Sequence, residues 1–424
     1  MNPASVPWPA RIVPDGPWLS WLGLREADPA LALAAVMLLA LIVADVAYRL
    51  LRLPRLVGYM LVGTLAGPLG LGLLRMDDLA DWKPLIDLAI AVLVFELGSR
   101  LRPRWLLDNP WLALSSVLEG LLATLAVGYA LVALGAPTLS AMAAAVVAGA
   151  TSPIIAMASV HDLRPRGQVA ERLLLMCALN SVLAMLALKL WPLLATAGQT
   201  HWASDALGWG ASALFVASGS FLLGLACGWL VDRTGRPGGH PATVPVLQMA
   251  LVMLVSTLAS AWGLSPLLTL LIAGITARQL MGHRLTVEPS LGSAGAALSV
   301  LLFVSTGLLF TLDGMVQLWP WVLAIIIARL LGKGLAVALL ARPSGLGWRQ
   351  ALALTLALQP MGGLAVLLVM RDFAWQAQLP GIDIAVLQAL LVATTLMQLS
   401  GPLWVQLGLR QVAGESPTEP RHGT

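Results

Sequence analysis

The stretch "GATSPIIAMAS", residues 149–159, decides how this chain is read. It lies inside an apolar window running from about residue 138 to 160, yet a threonine, a serine and a proline fall together near the middle. Proline removes one backbone hydrogen bond and clashes with the preceding turn, so a helix through this window is expected to break at Pro153. A second window, from about 349 to 370, carries "LQPMGG" at 358–363, which sets Pro360 at a matching depth. Irregular backbone is tolerated at bilayer depth only where protein buries it or water reaches it. Two spans broken at matching depth are the pattern of a secondary transporter built from repeats, with an ion or substrate site at the breaks.

Composition puts both windows in a membrane. Of 424 residues, 58% are hydrophobic and 11% charged, whereas soluble domains carry about 25% charged residues; the mean hydropathy is +0.86. Windows of about 20 apolar residues, each able to cross a hydrocarbon core of roughly 30 Å as a helix, begin near residues 30, 54, 84, 110, 138, 169, 205, 243, 265, 289, 318, 349 and 382. They predict an all-α, polytopic membrane protein of about thirteen transmembrane helices. Many windows end near a tryptophan, among them Trp82, Trp105, Trp111, Trp319, Trp321 and Trp348, as an interfacial belt requires.

Basic residues set the expected topology. Loops after odd-numbered windows carry Arg49, Arg52 and Arg55, then Arg100, Arg102 and Arg104, then Arg164, Arg166 and Arg172. The later ones carry Arg233 and Arg236, Arg278 and Arg284, and Arg342 and Arg349. The opposite side has Arg11, Arg25, Arg75, Lys83 and Arg371. The positive-inside rule then places the N-terminus outside and the C-terminus in the cytoplasm, in an inner or plasma membrane. The cations form no stripe, so nucleic acid is not an expected partner despite a pI of about 9.5. Cys177 and Cys227 fall in apolar windows, and the histidines at 161, 201, 240, 283 and 422 fall in loops or the tail without metal spacing. No glycine-rich phosphate loop is found; no disulfide, metal, cofactor or enzymatic activity is expected.

The fifth window is fourth in the set two to six, and the twelfth is fourth in the set nine to thirteen. An offset of seven spans makes these two five-helix repeats inverted, with spans 5 and 12 as the broken, crossed pair. Other polar residues share their depth. Thr151 and Ser152 lie at the first break, Gln359 at the second, and Asn180 and Ser181 at the centre of the sixth window. Arg329 sits at the centre of the eleventh window with Lys333 one turn on, the same helix face. An unpaired arginine at the bilayer centre costs about 3 kcal/mol or more, so neither cation is expected to face lipid. Glu119, near the centre of the fourth window, reads as a proton carrier or as the partner of Arg329 or Lys333. Glu96, nearer the end of the third window, is the second candidate carrier, and Asp45 is expected to pair with Arg49.

At these residues the chain resembles the monovalent cation:proton antiporter superfamily, the sodium/proton and Kef-type potassium/proton exchangers. The similarity covers about residues 30–415 and is carried by "RLPRLVGYMLVGTLAGPLGLGLL", "AVLVFELGSRLRPRWL", "AGATSPIIAMASVHDLRPRG", "SPLLTLLIAGITAR", "LLFVSTGLLFTLD", "IARLLGKGL" and "LSGPLWVQLGLR", in that order. The resemblance implies the antiporter fold between an outer tail, 1–29, and a short cytoplasmic tail, 411–424. Its membrane domain, 30–410, would divide into scaffold helices 1–3 and 8–10 and core helices 4–6 and 11–13, in a homodimer exchanging sodium or potassium for protons. Two positions depart from the family. Many members carry an acid where Ser152 stands, and Asn-Asp or Asp-Asp where this chain has Asn180-Ser181. The second acid of that pair is the family's usual ion and proton carrier, so the role passes to another carboxylate. Two further expectations compete: a non-transporting scaffold or sensor that keeps the fold, and a carrier of another small ion or organic anion with Arg329 as counter-charge.

Overall fold

The computed structural model describes residues 29–74, 78–101, 103–195, 202–234, 243–281, 292–308, 315–362 and 383–415. Fifteen α-helices run through them. The first five are α1 (Pro29–Leu51), α2 (Arg55–Ala66), α3 (Asp78–Arg100), α4 (Pro103–Asp108) and α5 (Pro110–Ala133). Then come α6 (Thr138–Gly149), α7 (Pro153–Leu163), α8 (Gln168–Ala195), α9 (Trp202–Thr234) and α10 (Thr243–Ala261). The last are α11 (Pro266–Met281), α12 (Gly292–Leu308), α13 (Met315–Leu340), α14 (Trp348–Ala357) and α15 (Ile384–Gln406), which continues as a π-helix over Leu407–Val412.

Every one of the thirteen apolar windows holds a helix. Among the described residues, eight segments are long and apolar enough to cross a membrane, and three shorter apolar helices accompany them. The surface agrees with lipid contact. On α5 the buried residues Leu112, Ser116, Glu119, Ala123, Val127 and Leu131 form one stripe at helical spacing, while Leu114, Val117, Leu121, Leu125 and Tyr129 are exposed. In water such a face would aggregate; in hydrocarbon it costs nothing. On α13 the same logic buries Val322, Ile325, Arg329, Lys333 and Ala336 and exposes Ile327, Leu331, Leu335 and Leu339. Glu119, Arg329 and Lys333 therefore all sit on inward stripes.

The chain divides into two compact units, residues 1–89 with 293–317, and 90–292 with 318–424. In the first, α2 and α12 touch backbone to backbone: a Cβ at Gly63 would stand 2.1 Å from the Val304 carbonyl oxygen, and one at Gly307 2.1 Å from that of Met60. Small residues admit this approach, which hydrogen bonding reinforces, Thr64 donating to the carbonyls of Met60 at 3.0 Å and Gly307 at 3.1 Å. The second unit holds both helix breaks. Its span Thr138–Leu163 is the most enclosed of the eight, 83% buried.

That span breaks otherwise than a proline kink would. Helix α6 stops at Gly149, Ala150 is extended at φ −68° and ψ 146°, and a new helix begins at Pro153 with Ser152 as its N-cap. The Ser152 hydroxyl accepts from the Ile155 N–H at 3.3 Å. Pro153 occupies the first helical position, where its missing N–H would have had no partner anyway. The "TSP" motif is thus a helix start placed inside the membrane. At the second break α14 ends at Ala357 and residues 358–362 run without helix. The half-span expected beyond it falls on residues 363–370, outside the described residues.

Candidate functional site

The two breaks meet. The Ser152 N–H donates to the Pro360 carbonyl at 2.9 Å, and the Thr151 hydroxyl to the Leu358 carbonyl at 3.2 Å. Helices α5, α8 and α13 bring their inward polar residues to this junction.

Arg329 is fully buried and contacts four carbonyls. Its Nη1 donates to Ala148, its Nη2 to Leu358 at 3.1 Å and Pro360 at 3.3 Å, and its Nε to Gln359 at 3.3 Å. Ala148 lies in the last turn of α6, Leu358 is the C-cap of α14, and Gln359 and Pro360 follow directly after it, so the guanidinium sits at the C-terminal ends of both helices. A helix C-terminus carries about half a negative charge, so two of them balance one guanidinium without a carboxylate. The breaks were expected to hold an ion or substrate site; the structure gives four of the carbonyls there to Arg329. A planar fork with five donors suits that role.

Lys333, one turn on, makes the other pairing. Its ammonium donates to Glu119 Oε1 and, at 2.8 Å, to Thr151 Oγ1, with both charged side chains wholly buried. Glu119 is therefore bound to Lys333 rather than to Arg329. Its second oxygen accepts from Asn180 Nδ2 at 2.8 Å, and the same nitrogen reaches the Gly149 carbonyl at 3.1 Å. Those two acceptors fix the amide's orientation, so Asn180 Oδ1 faces Gly120, where a Cβ would stand 2.5 Å away. Nothing but glycine leaves Asn180 room to reach Glu119. The sequence reading passed over Gly120, although a glycine beside a mid-helix acid was a visible signal.

Ser181 donates to the Thr151 carbonyl at 2.9 Å and to Cys177 at 2.8 Å. Gln359 donates through Nε2 to Thr355 at 2.8 Å, which leaves its Oε1 buried and without a partner among the described residues. Beside the cluster is a cavity of about 50 Å³ lined by Thr151, Ser152, Ser181 and Ser265 together with apolar Ile154, Met185 and Leu188. It has room for a few waters or a small cation. Thr151, Ser152, Asn180, Ser181, Gln359, Arg329, Lys333 and Glu119 are thus brought to one junction.

Glu96 belongs elsewhere. It pairs with Arg100 at 2.8 Å and lies 3.6 Å from His161 Nδ1, while Ser99 donates to its carbonyl. His161, expected in a loop, is in the last turn of α7. Asp45 pairs with Arg49 at 2.7 Å as its spacing predicts, and also with Arg55 at 3.5 Å. Among the described residues no group of three or more His, Cys, Asp or Glu forms a metal cluster.

The sequence profile described as "Sodium/hydrogen exchanger, transmembrane" matches residues 34–406. The chain belongs to this family. The Escherichia coli (strain K12) protein named "Putative cation/proton antiporter YbaL" is 26% identical over 329 residues, which is 75% of this chain and 58% of that one. The exchanger-family chain thus spans less than three fifths of the curated relative's length. Two structures of the sodium proton antiporter MjNhaP1 from Methanocaldococcus jannaschii superpose with it at 17% identity. The structure at pH 8 gives a TM-score of 0.66 over 91% of this chain and 99% of that one. The electron-microscopy map gives 0.70 over 91% and 98%. At that identity the likeness establishes the antiporter fold and nothing finer. The exchanger-family chain is accordingly an all-α, multi-pass membrane protein.

Proposed function

We propose that the chain exchanges a monovalent cation, sodium or potassium, for protons, with the buried Glu119–Lys333 pair as the coupling element. The observation that carries the reading is the charge balance at the helix junction. Arg329 is balanced by two helix ends and Lys333 by Glu119, so the closed site is close to neutral. A cation that approaches Glu119 while Lys333 is still charged meets a repulsion of about 4 kcal/mol at 4 Å and an effective dielectric of 20. Loss of the lysine proton removes that repulsion and frees Glu119, Thr151 Oγ1 and the adjacent hydroxyls to hold the cation. One proton leaves as one cation enters, and either state is neutral enough to cross. Gln359 Oε1, buried and unpartnered, is a further neutral ligand.

In this reading Thr151, Ser152, Ser181 and Gln359 coordinate, Asn180 orients Glu119, Arg329 fixes the two breaks, and Glu96 serves as a peripheral carboxylate. The protein works as a homodimer in an inner or plasma membrane, N-terminus outside and C-terminus in the cytoplasm. Its core would be spans 4–6 and 11–13, moving against scaffold spans 1–3 and 8–10. Vesicles containing the purified chain and a pH-sensitive dye test it: sodium or potassium, but not choline, should alkalinise an acidified interior. A non-transporting scaffold is the second reading, favoured by the complete burial of Glu119, Arg329 and Lys333. Absence of flux with every cation would select it.

A further inference from the structure

Arginines from three separate segments line one cavity outside the helix junction. It measures about 320 Å³, within the range of small-molecule sites, and is bounded by Arg100 at the end of α3, Arg166 between α7 and α8, and Arg278 near the end of α11. Trp105 of α4 and the side chains of Leu101 and Leu174 supply apolar walls, and among the described residues Glu171 is the one carboxylate in the lining. Membrane topology explains why arginines gather on this side, since the rule asks only that they flank the spans. It does not explain why three segments far apart in sequence bring theirs to the same cavity.

All three guanidiniums have partners in the protein. Arg278 Nη1 donates to the Ser99 carbonyl at 2.7 Å, and Arg100 Nη2 to Glu96 at 2.8 Å. A guanidinium with five donors can hold such an anchor and an anion together. Trp105 is held in turn by Arg172, whose guanidinium lies 5.6 Å from the ring centre. At the start of α8, also at the rim, the Val169 and Ala170 N–H groups are taken by the Glu415 carboxylate at 2.8 and 3.1 Å. That carboxylate shows that this corner already accommodates an anion, and it leaves the attraction of a second one to the arginines.

We propose that this cavity binds an organic phosphate: Arg100, Arg166 and Arg278 hold the phosphate, and Trp105, Leu101 and Leu174 receive an apolar or aromatic body. The site is independent of the transport reading. Phosphate is favoured over carboxylate because three forks converge from different directions, which suits a tetrahedral, multiply charged group. Both a soluble phosphoester and an anionic lipid headgroup carry that chemistry.

Titration calorimetry on the full chain in phosphatidylcholine nanodiscs tests it, with phenyl phosphate as probe and phenol as the uncharged control. Phenyl phosphate should bind saturably, inorganic phosphate should compete with it, and phenol should not bind. Arg166→Gln, at an exposed position, should weaken binding roughly tenfold or more, as the loss of one charge-assisted contact does. Arg278→Gln should do the same, and Arg233→Gln, outside the cavity, should leave binding unchanged. Repeating the titration in phosphatidylglycerol nanodiscs separates the sources: binding lost there identifies the headgroup as occupant, and binding retained identifies a soluble ester. No saturable binding in phosphatidylcholine discs, or binding that both Arg166→Gln and Arg278→Gln leave intact, overturns the proposal.

Discussion

Breaking the Glu119–Lys333 pair from either side should destabilise the protein, and removing both charges should restore it. Both side chains are wholly buried, so deleting one partner strands a charge in low dielectric, at about 3–5 kcal/mol. The remaining contacts place each variant in that range. In Glu119→Gln the ammonium keeps Thr151 Oγ1, and in Lys333→Met the carboxylate keeps Asn180 Nδ2. The double variant, Glu119→Gln with Lys333→Met, buries no charge at this position and should lie within about 1–2 kcal/mol of the parent. With an unfolding entropy of about 2.1 cal/mol/K per residue over 424 residues, 3–5 kcal/mol corresponds to a fall in Tm of about 3–6 °C. Thermal scans in one detergent at one scan rate give the comparison, read as differences from the parent. A Glu119→Gln variant as stable as the parent, or a double variant as unstable as the sum of the singles, would refute the buried ion pair.

Other expectations follow from the same contacts. Arg329→Ala leaves the carbonyls of Ala148 and Gln359 without their donor, while Leu358 keeps the Thr151 hydroxyl and Pro360 the Ser152 N–H, and should cost about 2–6 kcal/mol, read as lost folded yield on size exclusion. Gly120→Ala sets a methyl against Asn180 Oδ1 and should reduce cation affinity several-fold in a flux titration while the protein remains folded, because alanine favours helix by about 1 kcal/mol. Ser181→Asp replaces a donor to the Thr151 carbonyl with an acceptor, so its Tm should rise with sodium or potassium far more than the parent's does. Glu96→Gln, at a buried carboxylate whose Arg100 partner is partly exposed, should cost about 1–3 kcal/mol of stability and weaken exchange without abolishing it.

The sequence made the fold and most of the junction visible, and the reasons are physical. Hydrocarbon demands a long apolar run for every crossing, so each helix is legible one residue at a time, and the price of a buried charge marks Glu119, Arg329 and Lys333 without any structure. Two features were not legible. Pro153 reads as a kink in one-dimensional pattern, because the same residue breaks a helix interior or opens a helix; only the Ser152 cap and the extended Ala150 decide. Which cation pairs with Glu119 was also open, since Arg329 and Lys333 share a helix face and differ by one turn. The answer depends on where two helix ends converge, and that is a tertiary fact.

Proton movement in vesicles bears most directly on the coupling claim, with the unmodified chain, Glu119→Gln and Lys333→Gln reconstituted at equal, verified density and an imposed acid interior. The unmodified chain should discharge the gradient when sodium or potassium is added outside, and both variants should leave it standing. Undiminished, cation-dependent discharge by Glu119→Gln and Lys333→Gln would contradict the account.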